Sequence, residues 1–340
     1  MSSVNGWPDA LAQFDIKIDP WGIEYGSETP TEFEADADDD AVVDAGIERD
    51  AADWSPIIPN AVEMPEELAF VDGVRRLEAR LVVTKAERIL HGALGVYSVG
   101  VVRCRLRGRT ATFGECVRQR LAIFGSNERL NAPIEVSPGL IYAPLSVPET
   151  DPDAPLRGLQ REMRAREEQF ARQLAEDVKL LVITDGPLSV GDATPGRVIG
   201  FVKRLFKLYL DQQSQHLRVL RALPPGARTP LFVIGGATRR FPRISWFMRL
   251  ARHLPVESDF TGLVRLEVSA TLGRDEAIRL ADMTASLLPR FVPSRSRDPR
   301  APQNLIPIGA LEQHLRRELG DARLVHRRVA TRLARESVHV

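Results

Sequence analysis

The chain of 340 residues has only two cysteines, Cys104 and Cys116. Two thiols cannot build a disulfide framework, and no Cys/His cluster has zinc spacing. Both read as buried thiols, which leaves oxygen ligands for any catalytic metal. Hydrophobic runs are short, and none approaches the roughly 18 apolar residues of a membrane span. The stretch from Met1 to Asp19 is polar, without the basic-then-apolar order of a signal peptide, so a cytoplasmic location is expected. Gly-x4-Gly-Lys-Ser/Thr is missing, so the chain is not itself a P-loop ATPase; the Gly-rich stretch at 235–240 lacks that spacing. Gly-x-Ser-x-Gly is missing too, which argues against a serine hydrolase, and the six histidines are scattered without a His-Glu-x-x-His pair.

Net charge is also lacking, at zero overall, but that balance hides a segregation. Residues 1–70 hold 18 acidic side chains against Lys17 and Arg49, so the remaining 270 residues are basic by 16. A basic body can attract a polyanion. Arginine greatly outnumbers lysine, which fits a compositional bias equally well, and an acidic segment also serves as a solubilising tail.

Hydrophobic residues make up 44%, enough for a sizeable core. Residues 1–62 read as an acidic, weakly ordered segment, with 32–40 (EFEADADDD) too polar for a core. Short apolar patches (Trp7, Phe14, Ile16, Ile18, Trp21, Ile23, Tyr25) remain able to dock as strands. Residues 63–320 read as the core and 321–340 as a basic helical tail. In the core, 68–73 (LAFVDG) predicts a buried strand ending in a turn, followed by Val-rich strands at 79–86 (ARLVVTKA) and 94–106 (LGVYSVGVVRCRL) in an antiparallel meander. Residues 145–156 predict a linker. Met163, Glu167, Phe170, Leu174 and Val178 repeat at helical spacing. A strand at 179–186 follows, then a helix from about Pro195 to Leu220, a strand at 231–236, and a short helix at 245–254. A strand at 262–270, a helix at 275–288 and a helical end from Leu305 to Arg335 complete the order. A meander followed by alternating strands and helices predicts an α/β mixed sheet of the ribonuclease-H-like kind, flanked by helices.

Two strand ends look alike: Ala69-Phe70-Val71-Asp72-Gly73 and Val182-Ile183-Thr184-Asp185-Gly186. Each places a carboxylate after a buried strand, where sites of α/β sheets gather. Each alone is also a common turn dipeptide. Glu167 shares the apolar stripe of its helix, where a carboxylate is unfavourable unless paired or metal-bound. A salt bridge to Arg164 or Arg166 is the alternative. Glu168 is turned about 100° away and should be more exposed. Three carboxylates suit Mg²⁺ or Mn²⁺. Arg75, Arg76, Lys203 and Arg204 are candidates to hold phosphates; the alternatives are a solvated strand edge for the first pair and the polar face of a helix for the second.

Residues 70–76 (FVDGVRR) resemble the first motif of the NurA nuclease family, with Val74 where serine is usual. Residues 181–188 (LVITDGPL) resemble its second Asp-Gly motif, and 198–204 (VIGFVKR) the segment after it. The helix with Glu167 takes the place of the family's acidic helix. Residues 301–308 (APQNLIPI) stand where the family has a Pro- and Tyr-rich segment leading to a helix with a His or Asp; here neither the Tyr nor that His is obvious, and Glu312 or His314 is the substitute. The resemblance spans about residues 65–320. It implies a ribonuclease-H-like fold, a homodimer, a need for Mn²⁺ or Mg²⁺, and partnership with the hexameric HerA translocase. It also implies cleavage of single-stranded DNA and degradation of duplex ends, in repair, end resection or phage defence. Asp72, Glu167 and Asp185 would then be the metal-binding catalytic set. Two other readings stand beside it: a non-catalytic DNA-end-binding or assembly subunit of the same fold, and a small-molecule phosphohydrolase using the same acidic trio.

Overall fold

A computed structural model describes residues 15–18, 41–85, 88–128, 130, 132–188, 197–210, 215–235 and 241–337. The elements in chain order are β1 (Asp15–Ile18), β2 (Val42–Asp44), β3 (Glu67–Lys85), β4 (Arg88–Arg105), β5 (Thr110–Phe124), β6 (Ile134–Ser137) and β7 (Leu140–Ser146). Then come α1 (Ala154–Ala175), β8 (Leu180–Asp185), β9 (Arg197–Val202), α2 (Gln215–Ala222), β10 (Phe232–Gly235), β11 (Arg243–Arg249) and β12 (Leu263–Ser269). Three helices end the chain: α3 (Arg274–Leu287), α4 (Ile306–Glu318) and α5 (Ala322–Ser337). Among the described residues no helix is long and apolar enough to cross a membrane.

The strands form one twelve-stranded mixed sheet. Its centre is the order β5-β4-β3-β8-β9: an antiparallel meander of β3, β4 and β5, then β8 and β9 added parallel beside β3. A mixed α/β sheet flanked by helices is as expected, but β5 has no counterpart among the expected strands. Alternation along β3 sorts its side chains between two layers. Leu68, Phe70 and Val74 pack with Leu280 of α3 and with Ile308, Leu311 and Leu315 of α4. Ala69 and Val71 pack with Leu159, Met163 and Phe170 of α1. The expected spacing on α1 holds to Leu174, but the helix ends at Ala175 and Val178 lies beyond it, exposed. α5 lays Val325, Val329 and Leu333 over the far end of the sheet, against residues such as Leu81, Leu90 and Tyr142.

Four expectations are corrected. Asp72-Gly73 is not a turn: β3 runs unbroken from Glu67 to Lys85, with only a register shift between Leu77 and Ala79, so the strands expected at 68–73 and 79–86 are one. The helix expected over 195–220 is a strand, β9, followed by irregular chain and the short α2, with 189–196 and 211–214 outside the described residues. The helix expected at 245–254 is β11, paired on both sides by β10 and β12. A central strand buried on both faces shows no alternation, so its apolar run is indistinguishable from a buried helix by periodicity. Residues 41–62 are also no loose tail. Trp54 is buried and its Nε1 donates to Ala45 O at 2.9 Å. Glu48 pairs with the buried Arg228 guanidinium at 2.8 Å, which in turn pairs with Asp282 at 2.6 Å. β2 extends the sheet beside β10, and β1 pairs with β3 as the Ile16 and Ile18 patch allowed; the other apolar patches and 32–40 lie outside the described residues.

Candidate metal centre

The site is built by strand register. β3 and β8 run parallel with Val71 opposite Thr184, so Asp72 and Asp185 sit one residue further on, side by side. By alternation both leave the sheet on the face that carries Phe70 and Ile183, the face covered by α4. On β9, Ile199 and Phe201 share that face, and Lys203 continues the same period just past the strand. Gly186 has φ +96°, so here the Asp-Gly is a real turn, and Gly186 N donates to Phe201 O at 2.9 Å.

α4 packs onto this face through Ile308, Leu311 and Leu315, and its Glu312 reaches the two aspartates. One carboxylate oxygen from each of Asp72, Asp185 and Glu312 lies within 4.8 Å of the others. Asp72 is 5% exposed. Its Oδ1 accepts a hydrogen bond from Gly73 N at 2.8 Å, while Oδ2 is buried without a hydrogen-bond partner among the described residues. Burial, then the negative charges of Asp185, Glu312 and Glu167, push the Asp72 carboxyl well above the usual range, with Lys203 pulling the other way.

Lys203 is the cation in the middle. Its Nζ is 2.8 Å from Asp185 Oδ2, 2.9 Å from Asn304 Oδ1 and 3.3 Å from Glu312 Oε1. Burial works against its charge, but Asp185, Asp72 and Glu312 outweigh burial and hold the ammonium above the ordinary lysine range. Arg300 closes the outer side, with Nη2 2.7 Å from Glu312 Oε2 and Nε 3.4 Å from Asp298. Asn304 Nδ2 donates to Asp298 Oδ2 at 2.9 Å and fixes the amide that receives Lys203.

Glu167 is buried on α1, on the other side of the sheet, and outside the group of three. It comes to β3 at Gly73. A Cβ there would lie 2.9 Å from Met163 Cγ and closer still to Glu167 Oε1. The carboxylate thus approaches β3 where Gly73 carries no side chain. Glu168 points elsewhere and pairs with Arg172. Arg164 lies one turn earlier on α1, its Nη1 4.0 Å from where a Cβ on Gly186 would stand.

The expected phosphate-binding residues separate. Arg76 is spent on structure: Nη1 donates to Gly320 O at 2.8 Å, and Nη2 to Leu319 O at 3.0 Å and Glu78 Oε1 at 2.9 Å. Arg75 is half-buried and, by alternation, on the α1 side. Lys203 belongs to the acidic group, and Arg204 is exposed after a strand rather than on a helix. Of the two substitutes considered in α4, Glu312 joins the aspartates, whereas the His314 ring stacks on Phe113 with centroids 4.3 Å apart. Glu312 carries the same signal as Glu167, a carboxylate one helical turn from Ile308 on an apolar stripe. Arg300 and Asn304 carry no such signal, because loop residues have no periodicity.

These donors fit a hard divalent cation. All are oxygens, three are carboxylates from separate segments, and one buried oxygen lacks a partner. The thiols take no part: Cys104 is buried and pushed up to about 11, and Cys116 Sγ contacts Ser98 Oγ at 3.2 Å.

No family model and no curated protein matches the chain. Among solved structures, it is similar to the NurA nuclease from Sulfolobus solfataricus, at 11% identity and TM-score 0.37, over 69% of this chain and 76% of that one. It is also similar to human ENDOV, at 12% identity and TM-score 0.32, over 75% of this chain and 84% of that one.

Proposed function

We propose that the chain is a metal-dependent deoxyribonuclease that cuts single-stranded DNA and degrades DNA ends as a homodimer beside a hexameric HerA-like translocase. The observation that carries the hydrolytic reading is the meeting of Asp72, Asp185 and Glu312 around a buried carboxylate oxygen without a partner. Mg²⁺ or Mn²⁺ bound there supplies a water of lowered pKa and neutralises charge on a phosphodiester. Asp72, Asp185 and Glu312 would hold the ion. Glu167 faces the same stretch of β3 across Gly73 and adds negative charge from the α1 side. Lys203 places a fixed positive charge where a phosphate oxygen would develop charge, in a buried setting that strengthens it. Arg164, beside the Gly186 turn, and the exposed Arg204 are positioned to guide the backbone of the strand.

The deciding experiment is cleavage of end-labelled single- and double-stranded DNA with Mn²⁺, by wild type and Asp185→Asn, each with and without the candidate motor. Cleavage by wild type alone supports the reading. Equal cleavage by both proteins, or by neither, sinks it.

One observation favours a second reading. The Lys203 ammonium already lies among the carboxylates, as an internal cation would in a non-catalytic DNA-end-binding or assembly subunit. That reading requires that Mn²⁺ not bind at Asp72 and Asp185, which calorimetric titration of the intact chain decides.

A further inference from the structure

Both oxygens of Glu312 are covered by cations: Oε1 by Lys203 Nζ at 3.3 Å and Oε2 by Arg300 Nη2 at 2.7 Å. A divalent ion shared by Asp72, Asp185 and Glu312 would compete with both of these cations for the Glu312 carboxylate. The two are held differently. Lys203 has two further acceptors, Asp185 at 2.8 Å and Asn304 at 2.9 Å, and its side chain is only 20% exposed. Asn304 lies outside the acidic group, so it can still accept from Lys203 at 2.9 Å when the carboxylates are shared with an ion. The Arg300 guanidinium has one other contact, a long 3.4 Å approach to Asp298, and its side chain is 43% exposed. Its backbone is fixed independently, because Arg300 N donates to Asp298 Oδ1 at 2.8 Å and Asn304 N donates to Arg300 O at 3.3 Å. The side chain can therefore swing from an anchored point, toward water, without moving the loop.

From this asymmetry we propose that Arg300 is a metal-gated phosphate ligand: it occupies Glu312 in the metal-free protein and, once a divalent cation takes that carboxylate, turns outward to hold a phosphodiester of the bound strand. The proposal rests on the nuclease reading and adds to it a residue and an order of events. A planar guanidinium is suited to both partners, since carboxylate and phosphate present the same paired-oxygen geometry. The charges agree as well. A cation entering the acidic group repels the nearby guanidinium, and an arriving strand attracts it at the exposed side. The protein would thus bind DNA more tightly after loading with metal, while the metal-free form keeps Arg300 to itself.

The test uses the full chain and two readouts other than cleavage. Mn²⁺ alone is titrated calorimetrically into wild type, Arg300→Gln, Arg300→Lys and Asp72→Asn. Binding of a labelled, hydrolysis-resistant phosphorothioate oligonucleotide is followed by anisotropy, with Mn²⁺ or with EDTA, over a range of salt. Arg300→Gln should bind Mn²⁺ up to about fivefold more tightly than wild type, the scale of one half-exposed ion pair removed as a competitor. It should lose DNA affinity only when Mn²⁺ is present, with a salt dependence shallower by about one phosphate contact. Arg300→Lys keeps a charge without the fork, so its Mn²⁺ affinity should stay near wild type while part of the metal-dependent gain in DNA affinity is lost. Circular dichroism of each variant checks that the fold is kept. Mn²⁺ affinity unchanged or weakened in Arg300→Gln, or an equal loss of DNA affinity with EDTA, overturns the role of Arg300 while leaving the metal site standing. Failure of wild type to bind Mn²⁺, or undiminished binding by Asp72→Asn, overturns the nuclease reading and this proposal together.

Discussion

Gly73 and Glu167 meet on the α1 face of the sheet. The carboxylate of Glu167, on α1, takes up the space that any side chain at Gly73 would fill. Gly73→Ala should therefore force Glu167 and Met163 aside and destabilise the fold by about 1–3 kcal/mol, as overpacking does. Urea denaturation reads that loss directly. If Glu167 assists the reaction, cleavage by the variant falls further than Met163→Ala makes it fall. Equal stability of Gly73→Ala and wild type would show that the close approach is not real.

Asp72 is buried among like charges, with its carboxyl held above the usual range by burial first and by Asp185 second. A carboxyl with a raised folded-state pKa binds its proton more tightly folded than unfolded. Stability of the metal-free protein should then fall as pH rises from the ordinary aspartate value of 3.8 through the raised folded pKa. Asp72→Asn removes this penalty, so without metal it should melt higher than wild type at pH 7, and the gap should close near pH 4. Thermal melts in EDTA at the two pH values check the sign. Protons compete for the same oxygens, so Mn²⁺ affinity of wild type should weaken as pH falls through that raised value.

Removing a ligand should be harsher than removing a phosphate contact. On the nuclease reading, Asp185→Asn and Glu312→Gln each lose at least roughly a hundredfold in cleavage, the scale of a lost electrostatic element in an active site. Arg204→Gln, on an exposed residue, should lose no more than about tenfold, mostly in a term that high salt also suppresses. Initial rates at two salt concentrations separate the two kinds of loss. Chelation should abolish cleavage, and added Mn²⁺ should restore it.

The end of α4 is held by a buried knot. Glu78 accepts from Tyr142 Oη at 2.6 Å, Arg76 at 2.9 Å and Arg120 at 3.3 Å. Arg76 and Arg120 also cap the last carbonyls of the helix, both reaching Leu319 O, at 3.0 and 2.9 Å. Glu78→Ala leaves two arginines without their buried counter-charge and should cost about 3–5 kcal/mol. Tyr142→Phe, which removes one hydrogen bond, should cost about 1–3 kcal/mol. Chemical denaturation of both variants tests the order. A Tyr142→Phe loss larger than that of Glu78→Ala would contradict it.

Much of this was readable in advance from local pattern. The Val-rich strands β3 and β4, the stripe of α1, the strand before Asp185 and the terminal helices follow from periods of 2 and 3.6 that survive in the sequence, whereas β5 does not. At β9 and β11 both faces of the strand are covered and the period disappears, so their local pattern points to helices instead. Composition cannot reveal that Glu48 is the counter-charge of a buried arginine from 180 residues away, so 41–62 reads as part of the acidic segment. At the centre, Asp72, Glu167 and Asp185 each carried a local signal, and Glu312 was one of two substitutes. Arg300 and Asn304 had none.

The sequence by itself determined which carboxylates are placed at apolar positions, where a charge is unfavourable without a partner, and it determined the strands and helices that carry them. Tertiary structure alone decided which of them meet. Alternation sends Asp72 and Asp185 to the face that α4 covers and leaves Glu167 on the opposite side of the sheet, reaching in only where Gly73 lacks a side chain. It also placed Lys203 and Arg300 on the two oxygens of Glu312. Such pairings depend on strand register and on the docking of α4, and these are set by the packing of residues far apart in the chain, which no local window contains.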